Sequence, residues 1–259
     1  MSLKSVLPIC LALLLAALGA QAADDFPLRA KYPGLSYASI DELAKEAAAN
    51  IVVDVRSAFE YDILHIEGVK NISIATINFL PELAKLRGKH DKSKKIFLYC
   101  NGVLCTQSYD AGKRALEDGW ENVFVFDGGI GAWARKFPER STFFGNKLGD
   151  VNKLISPAKL AEHTLPWDQV KAKESDAKAV FIDVREPYAR KKIPELKALK
   201  HLPLSHITPM LEARKFQENT IYFMDGSGKQ LQWLQYILEK QGYRNYFFVK
   251  EGLNQILGD

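Results

Sequence analysis

One series of motifs occurs twice in this chain of 259 residues, about 125 residues apart, and this repeat most constrains the fold. Each copy has an apolar strand ending in Asp-Val-Arg, a second apolar strand, a glycine-aromatic turn leading into a third strand, and a glycine turn. The paired segments are 52–56 and 180–185, 96–100 and 221–225, 118–125 and 241–249, and 127–129 and 250–252. A unit of this length is too long for a solenoid repeat, so the pattern indicates two domains of one fold.

Within each copy, short apolar strands alternate with helical segments that begin at serine caps, as at Ser39 and Ser156. Buried strands that alternate with helices are typical of an α/β domain with a doubly wound, mostly parallel sheet flanked by helices. We therefore predict a first domain at 35–140, a linker at 141–154 and a second domain at 155–259.

The first 22 residues have the pattern of a secretory signal peptide. Lys4 supplies a positive start, residues 6–18 form an apolar core, and Ala20-Gln-Ala22 fits the small-residue cleavage pattern. The apolar run is short for a membrane span, and an uncleaved anchor is the lesser alternative. We expect a periplasmic or secreted protein with no stable membrane insertion after cleavage.

Charge and cysteine content exclude several classes of function. The net charge is only +4 and the basic residues are scattered, which argues against a nucleic-acid-binding protein. Removal of the leader leaves Cys100 and Cys105, too few for a disulfide-stapled scaffold. Two thiols with no histidine close in sequence also lack the four ligands of a structural zinc site, so no metal is expected.

Cys100 directly follows the buried strand 96–99, and Thr106 or Ser108 can cap the helix that runs to Leu116. Backbone amides and the positive end of a helix dipole at such a junction lower a thiol pKa and can hold an anion. The sequence therefore predicts a reactive thiolate at Cys100. The alternative from this stretch alone is a small buried apolar residue that happens to be cysteine.

Taken together, the motifs resemble those of the rhodanese superfamily in a tandem arrangement. The resemblance rests on Asp54-Val-Arg56, on His65-Ile-Glu-Gly68, on the cysteine after the apolar strand, on 127–133, and on Asp183-Val-Arg185 in the second copy. It implies two rhodanese-like domains and a sulfurtransferase with no cofactor. A small sulfur-containing anion such as thiosulfate would give its sulfane sulfur to Cys100, and a thiol acceptor would remove it from the persulfide.

The resemblance also implies roles for other residues. The backbone around Cys100 would bind the anion, while three polar residues of the first motif would support the cleft structurally rather than react. The predicted anion-binding residues are Asn101, Gly102, Val103, Leu104, Cys105 and Thr106, and the predicted supporting residues are Asp54, Arg56 and His65.

Three features depart from the family pattern. The loop 101–106 has no cationic residue, which predicts weak turnover of thiosulfate. Cys105 is a candidate resolving residue that could close a disulfide with Cys100 and release sulfide, or could merely pack at the helix start. Asp225 stands where Cys100 stood, so the second domain is expected to be inactive in this chemistry. The alternatives to a sulfurtransferase are a thiol-disulfide redox or chalcogen-handling protein and a non-catalytic binding module.

Overall fold

The computed structural model describes residues 26–258, and the predicted signal peptide lies outside them. The chain divides into two compact units, with the boundary between Val151 and Asn152. Over the described residues, no helix is both long and apolar enough to cross a bilayer.

The first unit is built on a sheet of five parallel strands in the described part of the chain. These strands are β1 (Ser36–Tyr37), β2 (Ile51–Asp54), β4 (Lys70–Asn71), β5 (Ile96–Tyr99) and β6 (Val123–Phe126), while β3 (Leu64–Ile66) lies outside this sheet. Their order across the sheet is β1-β6-β5-β2-β4, and every pairing is parallel. The central strand β5 is buried along its whole length, as its run of four apolar residues predicts.

Five α-helices accompany this sheet in the described residues of the first unit. They are α1 (Ile40–Glu46), α2 (Ala58–Ile63), α3 (Phe79–Leu86), α4 (Gln107–Glu117) and α5 (Gly129–Lys136). The first two begin at capping boxes, in which Ser39 and Ser57 each exchange hydrogen bonds with the glutamate three residues later. These caps fix the residues at which α1 and α2 begin.

Helices α3 and α4 contribute to the core beside the central strand. Leu98 on β5 belongs to a buried apolar cluster that includes Phe79 from α3 and Ala111 from α4. Cys100 belongs to the same cluster, and Cys105 packs against it. The start of the cysteine loop is therefore set by core packing, and burial of this apolar surface stabilises its position.

The structure differs from the linker that the sequence predicts at 141–154, because part of this segment forms a small antiparallel sheet. Strands β7 (Ser141–Phe143) and β8 (Asn146–Lys147) pair with each other, and β7 also pairs with β3. The register joins Leu64 to Phe143. Residues 141–147 are thus part of the first unit, because they cover an edge of β3 that would otherwise lack hydrogen-bond partners.

The second unit repeats the architecture of the first. Its strands are β9 (Thr164–Leu165), β10 (Ala179–Asp183), β11 (Lys200–His201), β12 (Thr220–Met224) and β13 (Tyr246–Val249). Its α-helices are α6 (Pro157–Glu162), α7 (Trp167–Lys171), α8 (Leu204–Glu212), α9 (Leu231–Lys240) and α10 (Leu253–Leu257). The strand order β11-β10-β12-β13-β9 is that of the first sheet read from its other edge, and all pairings are parallel. The predicted α/β fold and the repeat are confirmed.

Candidate active site

Cys100 lies at the carboxyl end of β5, at the edge of the sheet where ligands bind in parallel α/β folds. Its carbonyl oxygen accepts a hydrogen bond of 2.9 Å from the amide of Ile130, at the start of α5. The next carbonyl, of Asn101, accepts a bond of 3.4 Å from Gly131. The loop after the strand is thus fastened to the glycine turn that opens α5.

Gly129 makes this close approach feasible. It has a positive φ of 64°, and a Cβ atom there would lie 2.4 Å from the amide nitrogen of Gly102 and 2.6 Å from the carbonyl oxygen of Cys100. Only glycine adopts this conformation without strain and leaves room for the neighbouring backbone. The glycine turn predicted from the sequence therefore shapes the cysteine loop directly.

The Cys100 thiol is enclosed, with 0% of the residue exposed. Its sulfur donates to the carbonyl oxygen of Cys105 at 3.3 Å and lies 3.2 Å from the hydroxyl oxygen of Ser108. Burial raises the pKa of this thiol well above its ordinary value; the Cys105 side chain raises it further, while Ser108 lowers it in part. The sequence-based expectation of a lowered pKa at Cys100 is therefore wrong, because desolvation of the thiolate outweighs the nearby dipoles.

Cys105 carries the lowered pKa instead. Its thiol is partly exposed, and its pKa is lowered to about 7, first by a hydrogen bond from Cys100. Burial opposes this shift, while the backbone amides of Asn101 and Gln107 also lower the pKa. Both cysteines are free thiols. The lowered pKa that the sequence predicts for Cys100 thus belongs to a thiol five residues later.

The other loop residues form a short turn before α4. The Cys105 amide donates to the Gly102 carbonyl at 2.8 Å, which closes the turn. Val103 and Leu104 are exposed, at 38% and 65%, so the outer surface of the loop is apolar. Thr106 occupies the N-cap position of α4, yet its side chain makes no capping hydrogen bond with any of residues 26–258. Anion binding by residues 101–106 stays a prediction.

A buried polar network supports the loop from beneath. Arg56 and Asp54 are both 0% exposed and form an ion pair, with Nε of Arg56 at 2.9 Å from a carboxylate oxygen. Nη1 of Arg56 donates to the side-chain oxygen of Asn101 at 3.1 Å. The Asn101 side-chain nitrogen in turn donates to Glu60 at 2.7 Å. The predicted supporting pair Asp54 and Arg56 thus reaches the loop through Asn101.

Sequence reasoning missed Glu60 and Ser108. Glu60 is 5% exposed and lies close enough to Cys105 to oppose ionisation of its thiol. The signal that could have found it is the capping-box pattern that begins at Ser57. Ser108 was considered only as a helix cap, whereas its hydroxyl contacts the Cys100 sulfur.

His65 lies on β3, within the small antiparallel sheet. Its ring stacks on Tyr61 with centroids 3.8 Å apart, and its Nδ1 is 2.6 Å from the Tyr61 carbonyl oxygen. These contacts agree with the supporting role that the sequence predicts for His65. That role stays a prediction.

In the second unit, Asp225 follows β12 as Cys100 follows β5. Its carboxylate is fully buried and accepts hydrogen bonds from the backbone amides of Gly228 and, at 2.9 Å, Gln230. Burial raises the pKa of Asp225, while the amides of this loop lower it in part. The Asp225 side chain thus accepts hydrogen bonds from the backbone amides of its own loop.

The ion pair below this loop is also repeated, between Arg185 and Asp183 at 2.9 Å. In this copy, Nη1 of Arg185 is buried and has no hydrogen-bond partner among the described residues. The corresponding nitrogen of Arg56 has Asn101, whereas Gly226 takes the Asn101 position here. The second unit therefore keeps the supporting pair and lacks the side chain that joins it to the loop.

Comparison with known proteins identifies the fold family. The model of the rhodanese-like domain matches residues 39–136 and 167–259. Among curated relatives, tRNA uridine(34) hydroxylase of Staphylococcus saprophyticus is 27% identical over 106 residues, which is 41% of this chain and 33% of that protein. The enzyme of that name from Yersinia enterocolitica is 33% identical over 90 residues, which is 35% of this chain and 25% of that protein. The matches thus span a third or less of these relatives' length.

Two solved structures match parts of this chain. The BH2092 protein of Bacillus halodurans is 24% identical, with a TM-score of 0.37, and the match covers 51% of this chain and 92% of that chain. The thiosulfate sulfurtransferase of Pseudomonas aeruginosa is 17% identical, with a TM-score of 0.37, over 87% of this chain and 43% of that chain.

Proposed function

The chain belongs to the rhodanese-like domain family through both of its units, and we propose that it is an exported sulfurtransferase that stores a sulfane sulfur as a persulfide on Cys100. The observation that carries this proposal is the placement of two free thiols on one loop at the carboxyl end of the central strand. The second unit, with Asp225 at the equivalent position, is silent in this chemistry because a carboxylate cannot carry a sulfane sulfur.

The chemistry has two transfers. In the first, a sulfur of the donor becomes bonded to the Cys100 sulfur, and the remainder of the donor leaves with the electron pair of the broken bond. In the second, a thiolate acceptor attacks the terminal sulfur of the persulfide, and Cys100 leaves as the thiolate. The Ser108 hydroxyl group and the Cys105 carbonyl oxygen contact the Cys100 sulfur that would hold the sulfane sulfur between these transfers.

The donor and the acceptor are proposals on chemical grounds. The donor is a small molecule with a sulfane sulfur, of which thiosulfate is one example, and the acceptor is a thiol. Hydroxylation of tRNA uridine, the activity in the relatives' names, is not carried over, because those matches span a third or less of the named proteins.

Intact-mass measurement tests the function. After incubation with a sulfane donor and removal of that donor, the protein should gain about 32 Da, mapped to Cys100 by peptide analysis. Cys100→Ala should retain no such sulfur. A wild-type protein that stays at its original mass with both thiosulfate and an organic persulfide would contradict the proposal. Cell fractionation with and without residues 1–22 tests export separately.

A thiol-disulfide function is the second candidate, and the contact of the Cys100 sulfur with the Cys105 carbonyl oxygen at 3.3 Å, beside a second free thiol, favours it. In this reaction, Cys105 attacks the inner sulfur of the Cys100 persulfide, a disulfide forms, and hydrosulfide leaves. Donor treatment would then lower the protein mass by two hydrogens and release sulfide. A non-catalytic binding module would show neither change.

A further inference from the structure

The two thiols of the loop differ in their access to solvent. Cys100 is 0% exposed, and its sulfur is enclosed by the Cys105 carbonyl oxygen and the Ser108 hydroxyl group. Cys105 is partly exposed and sits beside the exposed side chain of Leu104. A donor that approaches from solvent can therefore contact the Cys105 sulfur, while the Cys100 sulfur is covered.

We propose that Cys105 is the nucleophile that takes the sulfane sulfur from the donor, and that the sulfur then moves inward to Cys100. This relay rests on the proposed function, because its end point is the Cys100 persulfide. The inward step joins two residues in direct contact, since the Cys100 sulfur donates a hydrogen bond to the carbonyl oxygen of Cys105 at 3.3 Å.

The relay balances without an external oxidant. In the first step, the Cys105 thiolate attacks the outer sulfur of a persulfide R–S–SH, giving Cys105–S–S⁻ and R–SH. One S–S bond forms and one breaks, and the proton of the donor ends on its thiol. In the second step, the Cys100 thiol gives its proton to the outer sulfur, the resulting thiolate attacks that sulfur, and Cys105 leaves as a thiolate that takes up the proton of the new persulfide. The products are Cys100–S–S⁻ and Cys105–SH, so the oxidation level of the pair is unchanged by the transfer.

The electrostatics of the pair agree with this order. Burial raises the pKa of Cys100, while that of Cys105 is lowered to about 7, so the exposed thiol ionises more readily than the enclosed one. A nucleophilic sulfur must be ionised to attack, which makes Cys105 the reactive member. Glu60 is the nearby carboxylate that opposes this ionisation, and the two backbone amides at the Cys105 sulfur support it.

The surface around Cys105 indicates the class of donor. Val103 and Leu104 are exposed and apolar, and the loop has no lysine or arginine. With the Glu60 carboxylate close to the sulfur, this surface disfavours a dianion such as thiosulfate. It suits the persulfide of an organic thiol, which carries at most one negative charge on its sulfane sulfur.

Rapid quenching with an alkylating reagent tests the relay in the full mature protein. Glutathione persulfide is the probe donor, and thiosulfate is the comparison. Peptide masses should place the new sulfur on Cys105 at the earliest times and on Cys100 later. Cys105→Ser should load Cys100 at least about tenfold more slowly, because the accessible nucleophile is gone. Cys100→Ser should stop with the sulfur on Cys105, from which a thiol added during the reaction removes it.

Ser227→Ala, in the loop of the second unit, is the matched control and should load as the wild type does. Cys105→Ala repeats the Cys105→Ser measurement, and thermal unfolding verifies that each variant is folded. Loading of Cys100 at the wild-type rate in folded Cys105→Ser overturns the relay and leaves the proposed function in place. The absence of sulfur on Cys105 in folded Cys100→Ser likewise overturns the relay and leaves the proposed function in place. A wild type that takes sulfur from neither donor overturns both.

Discussion

The loops that follow β5 and β12 occupy the same place in two copies of one sheet, yet each contains a different ionisable side chain. In the first loop, backbone amides lower the pKa of the Cys105 thiol. In the second, they donate to the carboxylate of Asp225, the strand-end residue itself. The fold supplies inward-pointing amides in both copies, and the side chains present decide whether the loop can react.

The two loops also differ in length and in their support. From the strand-end residue to the first helical residue, the chain runs from Cys100 to Gln107 in one copy and from Asp225 to Leu231 in the other, which is one residue shorter. The first loop is tied to the buried ion pair through Asn101, whereas the second has no such link because Gly226 stands there. Restoring reactivity therefore needs more than a thiol.

The largest expected effect comes from Cys100→Ala. The sulfur that survives removal of the donor and a brief treatment with a thiol should fall by about 100-fold or more, to background, because the enclosed position for a persulfide is lost and the thiol removes sulfur held on the exposed Cys105. Intact mass after desalting measures this effect. Persistent addition of about 32 Da in the variant would show that another residue stores the sulfur.

Gly129→Ala and Gly252→Ala form a matched pair of changes in the two copies. Both positions have positive φ, and an added Cβ would lie 2.4 Å and 2.5 Å from a backbone nitrogen of the adjacent loop. We expect each change to destabilise its own unit by about 2 to 4 kcal/mol, from strain and overpacking. Denaturant unfolding measures the loss of stability.

Sulfur loading separates the two members of this pair. Gly129→Ala should also displace the cysteine loop and reduce loading, while Gly252→Ala should leave loading near the wild-type level. Equal loading by both variants would argue against the close fit of the first loop to the glycine turn.

Cys105 should be alkylated first, with a pH midpoint near 7. Its thiolate is supported by Cys100 and by two amides, so the rate should rise with pH through that midpoint and level off above it. Iodoacetamide labelling followed by peptide mass analysis measures the rate at each cysteine separately. Faster labelling of Cys100 than of Cys105 near pH 7 would show that the buried thiol is the more reactive of the two.

Asp225 offers a test of the silent copy. Asp225→Ala should destabilise the second unit by about 1 to 3 kcal/mol, because buried amides lose their acceptor. Asp225→Cys should not acquire sulfur, since its loop is shorter and lacks counterparts of Asn101 and Cys105. Unfolding measurements address the first variant and donor treatment the second, in a Cys100→Ala background that removes the first site. A gain of sulfur at position 225 would show that a thiol alone is sufficient.

Ser108→Ala should have the smallest effect. Loss of the hydroxyl group 3.2 Å from the Cys100 sulfur removes a contact that lowers the Cys100 pKa. We expect loading of Cys100 to slow by about threefold to tenfold, in line with one modest hydrogen bond. The same change leaves the second unit unaltered, so its unfolding serves as the internal reference.

The sequence predicted the features that depend on local pattern. Four consecutive apolar residues at 96–99 identified the central strand, and the repeat at 221–224 identified its copy. The position of Cys100 follows from that strand, because a residue directly after a parallel strand lies at the ligand-binding edge. The glycine turn at 127–129 was found in the same way.

The sequence could not predict features that depend on packing between distant segments. The protonation of Cys100 is set by its complete enclosure, which requires the folded positions of Cys105 and Ser108. The contact between Glu60 and Asn101 joins residues 41 positions apart. No periodicity of a single segment contains such information, so the difference in burial between the two thiols is found only in the structure.

The pairing of β3 with β7 determines where the first unit can be truncated. Truncation after residue 140 would remove the partner of β3 and leave a row of unpaired backbone groups on an apolar strand. Such an open edge recruits other chains, so an excised first unit ending there would tend to aggregate. Expression of the first unit alone should extend to the boundary at Val151.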